Sequence, residues 1–142
     1  MPLITSVNYD PAVRVIKSLT GTVLINAFDI VNLRLTFTVP ANGKILVRMD
    51  TGTENISYLP ILAVLSGLTI LVKKTPKSGG FINGFSQIEM YAVVSGLAPG
   101  AILTLDAAYG TRSGNTGQVY YGGPDVMDAT TGGAFSFEIW TA

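Results

Sequence analysis

Cysteine and histidine are both absent from this chain of 142 residues. Without cysteine there is no disulfide, no thiolate metal ligand and no thiol nucleophile. Without histidine the commonest general base, the imidazole metal ligand and the usual pH switch all disappear. Ser-His-Asp and Cys-His catalytic sites are therefore excluded. Charge is scarce as well. Lys plus Arg and Asp plus Glu number 9 each, so the net charge is zero and the charged fraction is 13%, against about 25% for an ordinary soluble domain. Nothing in that balance draws the chain to nucleic acid or to an anionic membrane. The longest apolar run, Leu59 to Val72, is broken by Pro60, Ser66 and Gly67 and falls short of the roughly 20 residues that cross a bilayer as a helix. Met1-Pro2-Leu3-Ile4-Thr5 has neither the basic nor the apolar region of a signal peptide.

What is present is apolar and extended. Hydrophobic residues make up 48% of the chain, the mean hydropathy is +0.45, and the length suits one domain, 1–142, with a two-layer core. A surface this poor in charge tends to associate. The dominant period is two. Leu33, Leu35, Phe37 and Val39 alternate with Arg34, Thr36 and Thr38, as in a strand with one buried face. Pro40-Ala41-Asn42-Gly43 ends that strand, and Lys44 to Asp50 reads as its partner. Leu59 to Leu65 and Leu68 to Lys74 read as a pair joined at Ser66-Gly67. Lys73 to Gly80 reads as a loop. Phe85 to Val94 reads as a strand turned by residues 95–100 into Ala101 to Tyr109. Gly110 to Gly117 and Gly122 to Gly133 read as glycine-rich loops around Val119-Tyr120-Tyr121, and Ala12 to Leu19 and Thr22 to Ala27 as earlier strands. In the last strand Phe135, Phe137 and Ile139 face one way and Ser136, Glu138 and Trp140 the other. Eight to ten strands at this spacing predict an all-β, two-sheet antiparallel sandwich.

Three motifs in order carry a resemblance. Phe37-x-x-Pro40-x-x-Gly43-x-Ile45-x-Val47, Leu97-x-x-Gly100-x-x-Leu103-x-Leu105 and Gly133-x-Phe135-x-Phe137-x-Ile139 resemble the tumour-necrosis-factor-like and complement globular-head jelly rolls, over about residues 33 to 140. Many members carry Asp after the turn glycine, where this chain has Ala101. Leu105 to Tyr109, Tyr121-Gly122-Gly123-Pro124-Asp125 and Phe135 to Trp140 are similar to small phage virion proteins of this fold, found as head decorations or fibre tips. The resemblance implies a homotrimer, located in the virion after assembly in the host cytoplasm.

The remaining candidates for chemistry each have a plainer reading. Lys17-Ser18 and Lys77-Ser78 are neighbours whose side chains would diverge in a strand. Glu89, Asp106 and Glu138, with Arg34 or Arg48 nearby, read as outward charges or structural ion pairs before acid–base groups. Asp125 and Asp128 read as turn residues, since calcium needs 6–8 oxygens. Residues 110–117 lack the Gly-Lys-Ser/Thr of a phosphate loop, and Asn55-Ile56-Ser57 is a glycosylation sequon read as chance without a secretory signal. Lys73, Lys74 and Lys77 read as solvated gatekeepers beside an aggregation-prone stretch. No catalytic residue, metal or cofactor is expected. An apolar and aromatic excess remains, and Tyr91, Leu103, Tyr109 and Trp140 are the candidates for the centre of an interface between copies. The expected role is a trimeric capsid decoration whose other partners are the major capsid protein or other virion proteins. The alternative is a receptor- or glycan-binding tip of a tail fibre, contacting through the loops 110–117 and 122–133.

Overall fold

The computed structural model describes residues 2–20, 25–54, 61–75, 77–82, 85–110, 116–123 and 133–142. Among them there is no helix, and twelve strands form two antiparallel sheets. The strands are β1 (Leu3–Tyr9), β2 (Val15–Thr20), β3 (Asn26–Ala27), β4 (Arg34–Thr38), β5 (Ile45–Glu54), β6 (Ile61–Ser66), β7 (Thr69–Lys74), β8 (Lys77–Ile82), β9 (Phe85–Val94), β10 (Ile102–Gly110), β11 (Thr116–Tyr121) and β12 (Phe135–Thr141). Across the two sheets β1 pairs with β12, β4 with β10, β5 with β9 and β6 with β7. Strands from the first half of the chain thus meet those from the second half in reverse order. That is a long hairpin rolled into two layers, the jelly-roll sandwich.

The strand count exceeds the expected eight to ten because three elements carry weak local signals. Lys77–Ile82, read as part of a loop because of Gly79-Gly80, is held as β8 by β9. Leu3–Tyr9 is held as β1 by β12, and Thr116–Tyr121 is longer than its Val-Tyr-Tyr core. Pairing also differs from expectation at two turns. The segments on either side of Pro40–Gly43 are not a hairpin, since β4 pairs with β10 while β5 pairs with β9, β11 and β12. The turn at 95–101 likewise carries the chain from β9 in one sheet to β10 in the other. The two crossing turns lock together. Leu97 N–H donates to the Gly43 carbonyl (3.1 Å), and Val39 N–H to that of Ala101 (2.8 Å). Gly43 has φ 67°, and a Cβ there would lie 2.6 Å from the Leu97 carbonyl oxygen, so no other residue fits this crossing.

The first sheet contains interrupted strands. β12 and β11 lie end to end along one side of β5: Thr141 to Ser136 face Ile45 to Asp50, and Tyr120 to Gln118 face Gly52 to Glu54. β1 and β2 run end to end beside them in the same way. β11 thus ends at Tyr121 and β12 begins at Phe135 on the same side of β5. The gap is clipped by hydrogen bonds from Gly122 N–H to the Gly133 carbonyl and from Gly123 N–H to that of Pro11, both 2.9 Å.

Alternation places the core as expected. Phe37, Val47, Leu105, Phe135 and Phe137 are all buried between the sheets. At one region of the core Phe28, Tyr109, Tyr121 and Phe135 pack ring to ring, with Phe28–Tyr109 stacked at 4.6 Å and Phe28–Phe135 edge-on at 4.8 Å. Tyr9 meets Tyr121 at 5.9 Å. Tyr121 is fully buried, and its hydroxyl has no hydrogen-bond partner among the described residues. Burial pushes its ionisation far above that of a free phenol, and the nearby Asp29 adds to the effect.

Two stability outcomes are expected. Phe135→Ala removes a ring buried against Phe28 and Tyr121 and should cost about 3–5 kcal/mol in denaturant unfolding; an unchanged midpoint would mean the strand register is wrong. Tyr121→Phe removes a buried hydroxyl that makes no hydrogen bond among the described residues and should raise stability by about 1 kcal/mol.

Candidate functional site: the outer face of the β1–β12–β5–β9 sheet

The inner faces of both sheets are spent on the core, so any function lies on the outer faces, edges or loops. On the first sheet the register lines side chains into rows. Leu3 of β1 is opposite Trp140 of β12, Trp140 opposite Leu46 of β5, and Leu46 opposite Val93 of β9. These four apolar residues cross the outer face at the end where the turns 40–44 and 95–101 lie. Val93 is 62% and Leu3 45% exposed, with Leu46 and Trp140 half-buried beside them. Cross-strand neighbours of this kind stabilise the sheet, yet Val93 and Leu3 keep much of their surface in water.

The next two rows carry charge. Tyr91, Arg48 and Glu138 are successive partners across β9, β5 and β12, followed by Glu89, Asp50 and Ser136. Arg48 gathers this group. Its Nη1 donates to Glu138 Oε1 (2.8 Å), its Nη2 to Asp50 Oδ2 (3.1 Å) and Glu89 Oε2 (3.2 Å), and its Nε to the Tyr91 hydroxyl (3.1 Å). The guanidinium also lies 5.7 Å from the centre of the Tyr91 ring, within cation–π range. Burial opposes the Arg48 charge, but the bonds to Glu138 and Tyr91 outweigh it and hold the proton more tightly than usual. Asp50 is also shifted upward, which for a carboxyl works against its charge. Burial raises its pKa, and Glu89 and Glu138 reinforce this against the pull of Arg48. Three carboxylates thus share one guanidinium, and the group is net negative. The backbone register sets Lys77 of β8 opposite Glu89.

The other sheet holds a separate pair. Arg34 Nε and Nη2 bind Asp106 Oδ1 and Oδ2 at 2.6 and 2.9 Å. This fork-to-fork geometry leaves Asp106 only 4% exposed and raises the Arg34 pKa. Glu89 and Glu138 therefore come together with Asp50, while Asp106 belongs to a different sheet. Asp50, not singled out from the sequence, joins because it stands two residues from Arg48 on the same side of β5. Among the described residues no three His, Cys, Asp or Glu side chains are placed to hold a metal ion, and no helix is long and apolar enough to cross a membrane.

Of the four residues expected at an interface centre, the structure brings Tyr91 and Trp140 onto this outer face. Tyr109 points inward, stacked on Phe28 and 8% exposed, and Leu103 packs against the core from the same side of β10. Leu46, Val93 and Leu3 were missed. Cross-strand register, which a single sequence does not display, is what joins them to Trp140. Asp125, Asp128, Asn55-Ile56-Ser57 and the tips of both glycine-rich loops lie outside the described residues. Comparison with protein-family models, with curated proteins and with solved structures finds no match.

The Arg48 group yields a test with a sign. Arg48→Leu leaves three carboxylates facing one another and should cost about 1–3 kcal/mol near neutral pH, between the values for exposed and buried pairs. Asp50, raised by burial and by its carboxylate neighbours, then loses the pull of Arg48 and holds its proton more tightly in the folded than in the unfolded chain, so acidification favours folding. The deficit should shrink as pH falls from about 7 toward about 4, where carboxylates titrate. A deficit independent of pH would mean that Arg48 acts by packing alone.

Proposed function

We propose that this chain is a structural virion protein: a homotrimeric, non-catalytic jelly-roll domain that decorates and stabilises a phage head. The observation that carries the reading is the apolar row Leu3–Trp140–Leu46–Val93 on the outer face of a sheet whose inner face already fills the core, with Leu3, Val93 and the neighbouring Tyr91 exposed and Trp140 and Leu46 half-buried. An apolar aromatic patch on a chain with 13% charged residues and zero net charge favours burial against another protein surface. Closed symmetry is the usual way to achieve this without open-ended growth. The number three and the phage setting come from the resemblance to tumour-necrosis-factor-like jelly rolls and small virion proteins. The strand order supports that resemblance, because its motifs fall on β4–β5, on the turn into β10 and on β12.

A tail-fibre tip binding a receptor or glycan is the second reading. The end-to-end placement of β11 and β12, with Gly122 N–H bonded to the Gly133 carbonyl and Gly123 N–H to that of Pro11, favours it, since binding loops are commonly carried on rigid scaffolds.

Light scattering on a sizing column should give three times the mass of the 15.0 kDa chain, and Trp140→Ser with Val93→Ser should shift it to one chain. A single-chain mass for the wild type at micromolar concentration would overturn the assembly, and a dimer would overturn the trimer alone. Binding to empty heads of the parent phage distinguishes decoration from a tip, which should bind host cells instead.

A further inference from the structure

The open edges of the two sheets differ in how they are guarded. Among the described residues β1, β2, β3, β4, β7 and β8 each pair with one strand only, which leaves backbone N–H and C=O groups on the other side. Exposed edges are ordinarily blunted by charge, by brevity or by distortion, because an open one templates another strand. β2 carries Lys17, β4 Arg34, β7 Lys73 and Lys74, and β8 Lys77, while β3 is two residues long. β1, with the sequence Leu3-Ile4-Thr5-Ser6-Val7-Asn8-Tyr9, has no charge, no proline and no glycine. A bulge between Leu3 and Thr5 confines its regular part to Thr5–Tyr9, in unbroken register with Ile139 to Phe135.

That stretch is complementary to itself. Thr5, Val7 and Tyr9 lie opposite the buried Ile139, Phe137 and Phe135 on the core side, and the exposed Ser6 and Asn8 lie opposite Glu138 and Ser136 on the outer side. In an antiparallel pair of two copies centred on Val7, Val7 faces Val7, Thr5 faces Tyr9 and Ser6 faces Asn8. Every pair then joins residues of the same face, so the pleat runs on from one copy into the next. β-Branched and aromatic side chains meet on the core side, a favourable cross-strand combination. Alternate residues of an antiparallel strand turn both N–H and C=O to the same neighbour, so those that turn away from β12 gain partners. No like charges are opposed. Asp10, the first charge after β1, falls at opposite ends of the pair. The adjacent edge of the second sheet, β4, carries Arg34, and that charge is already bound bidentately to Asp106.

From this self-complementarity we propose that the β1 edge is a second surface of self-association, at which two copies join antiparallel through Thr5–Tyr9 into one continuous sheet. The contact is isologous, each copy giving the same strand, and it uses an edge rather than the outer face of the first sheet. It therefore goes beyond the assembly proposed above and holds whatever the mass of the dilute protein. Two short strands bury less than the roughly 1,200 Å² at which stable interfaces begin, so the contact fills only as concentration rises. Where copies are crowded on one surface, it ties neighbours together by backbone hydrogen bonds.

Mass and amide hydrogen exchange test it together. Between about 10 μM and about 500 μM, where weak contacts fill, light scattering of the wild type should move toward twice its dilute mass. Amides within Thr5–Tyr9 that exchange quickly in dilute protein should become protected over the same range. Ser6→Lys with Asn8→Lys sets lysine opposite lysine across the pair and should abolish both changes, with the dilute mass and the circular dichroism spectrum unchanged. A wild type whose mass and β1 exchange stay constant to the highest concentration overturns the edge pairing, whereas the dilute mass alone judges the assembly proposed above. A mass that doubles without protection of β1, or that doubles equally in the lysine variant, overturns it too, since the contact then lies elsewhere. Should the variant fail to fold, exchange in the wild type decides on its own.

Discussion

The structure depends most on β5. All ten of its residues pair with β9 on one side, while β12 and then β11 take up the other. A strand hydrogen-bonded on both sides along its length leaves only its two faces to the environment. The inner face, Ile45, Val47, Met49 and Thr51, is buried. The outer face carries Leu46, Arg48 and Asp50, and these set the character of the whole sheet surface, because each recruits partners from the neighbouring strands. Arg48 collects Glu138, Glu89 and Tyr91, and Leu46 joins Val93 to Trp140.

The same central strand makes interruptions tolerable. β11 and β12 lie end to end as one long partner of β5, and β1 and β2 lie end to end beside them. The second sheet shows the device again: β3 and β4 both pair with β10, with Asp29 capping the turn between them through its bonds to the Val31 and Asn32 N–H groups. β5 and β10 stay whole, while two shorter strands in line share one side of each.

Electrostatics divide between the two sheets. Arg34 and Asp106 form a closed bidentate pair with nothing left over. Around Arg48 the accounts do not balance, since three carboxylates meet one guanidinium and Asp50 is pushed toward its protonated form. This group lies beside the apolar row Leu3–Trp140–Leu46–Val93, so one face of the first sheet carries both features.

The sequence by itself determined the side of each strand. Strict alternation at 33–39, 45–49 and 135–140 predicts Leu35, Phe37, Val47, Phe135 and Phe137 as core, since side chains in a strand take opposite faces whatever the partners are. The spacing of the strands likewise implied an all-β, two-sheet sandwich. Only the tertiary structure decided which strands are partners. The turns at Pro40–Gly43 and 95–101 have hairpin-like residues, yet both cross between sheets, because pairing is set by non-local packing of apolar faces rather than by turn chemistry. For the same reason β8 was illegible, since β9 pairs with the residues on either side of Gly79-Gly80. The rows Leu3–Trp140–Leu46–Val93 and Glu89–Asp50 existed nowhere in the linear order. Tyr109 and Leu103 read as spare aromatic and apolar surface only until Phe28 and the opposite sheet occupied that side. Period two assigns a residue to one of two faces, and the fold alone says which of those faces meets its own core.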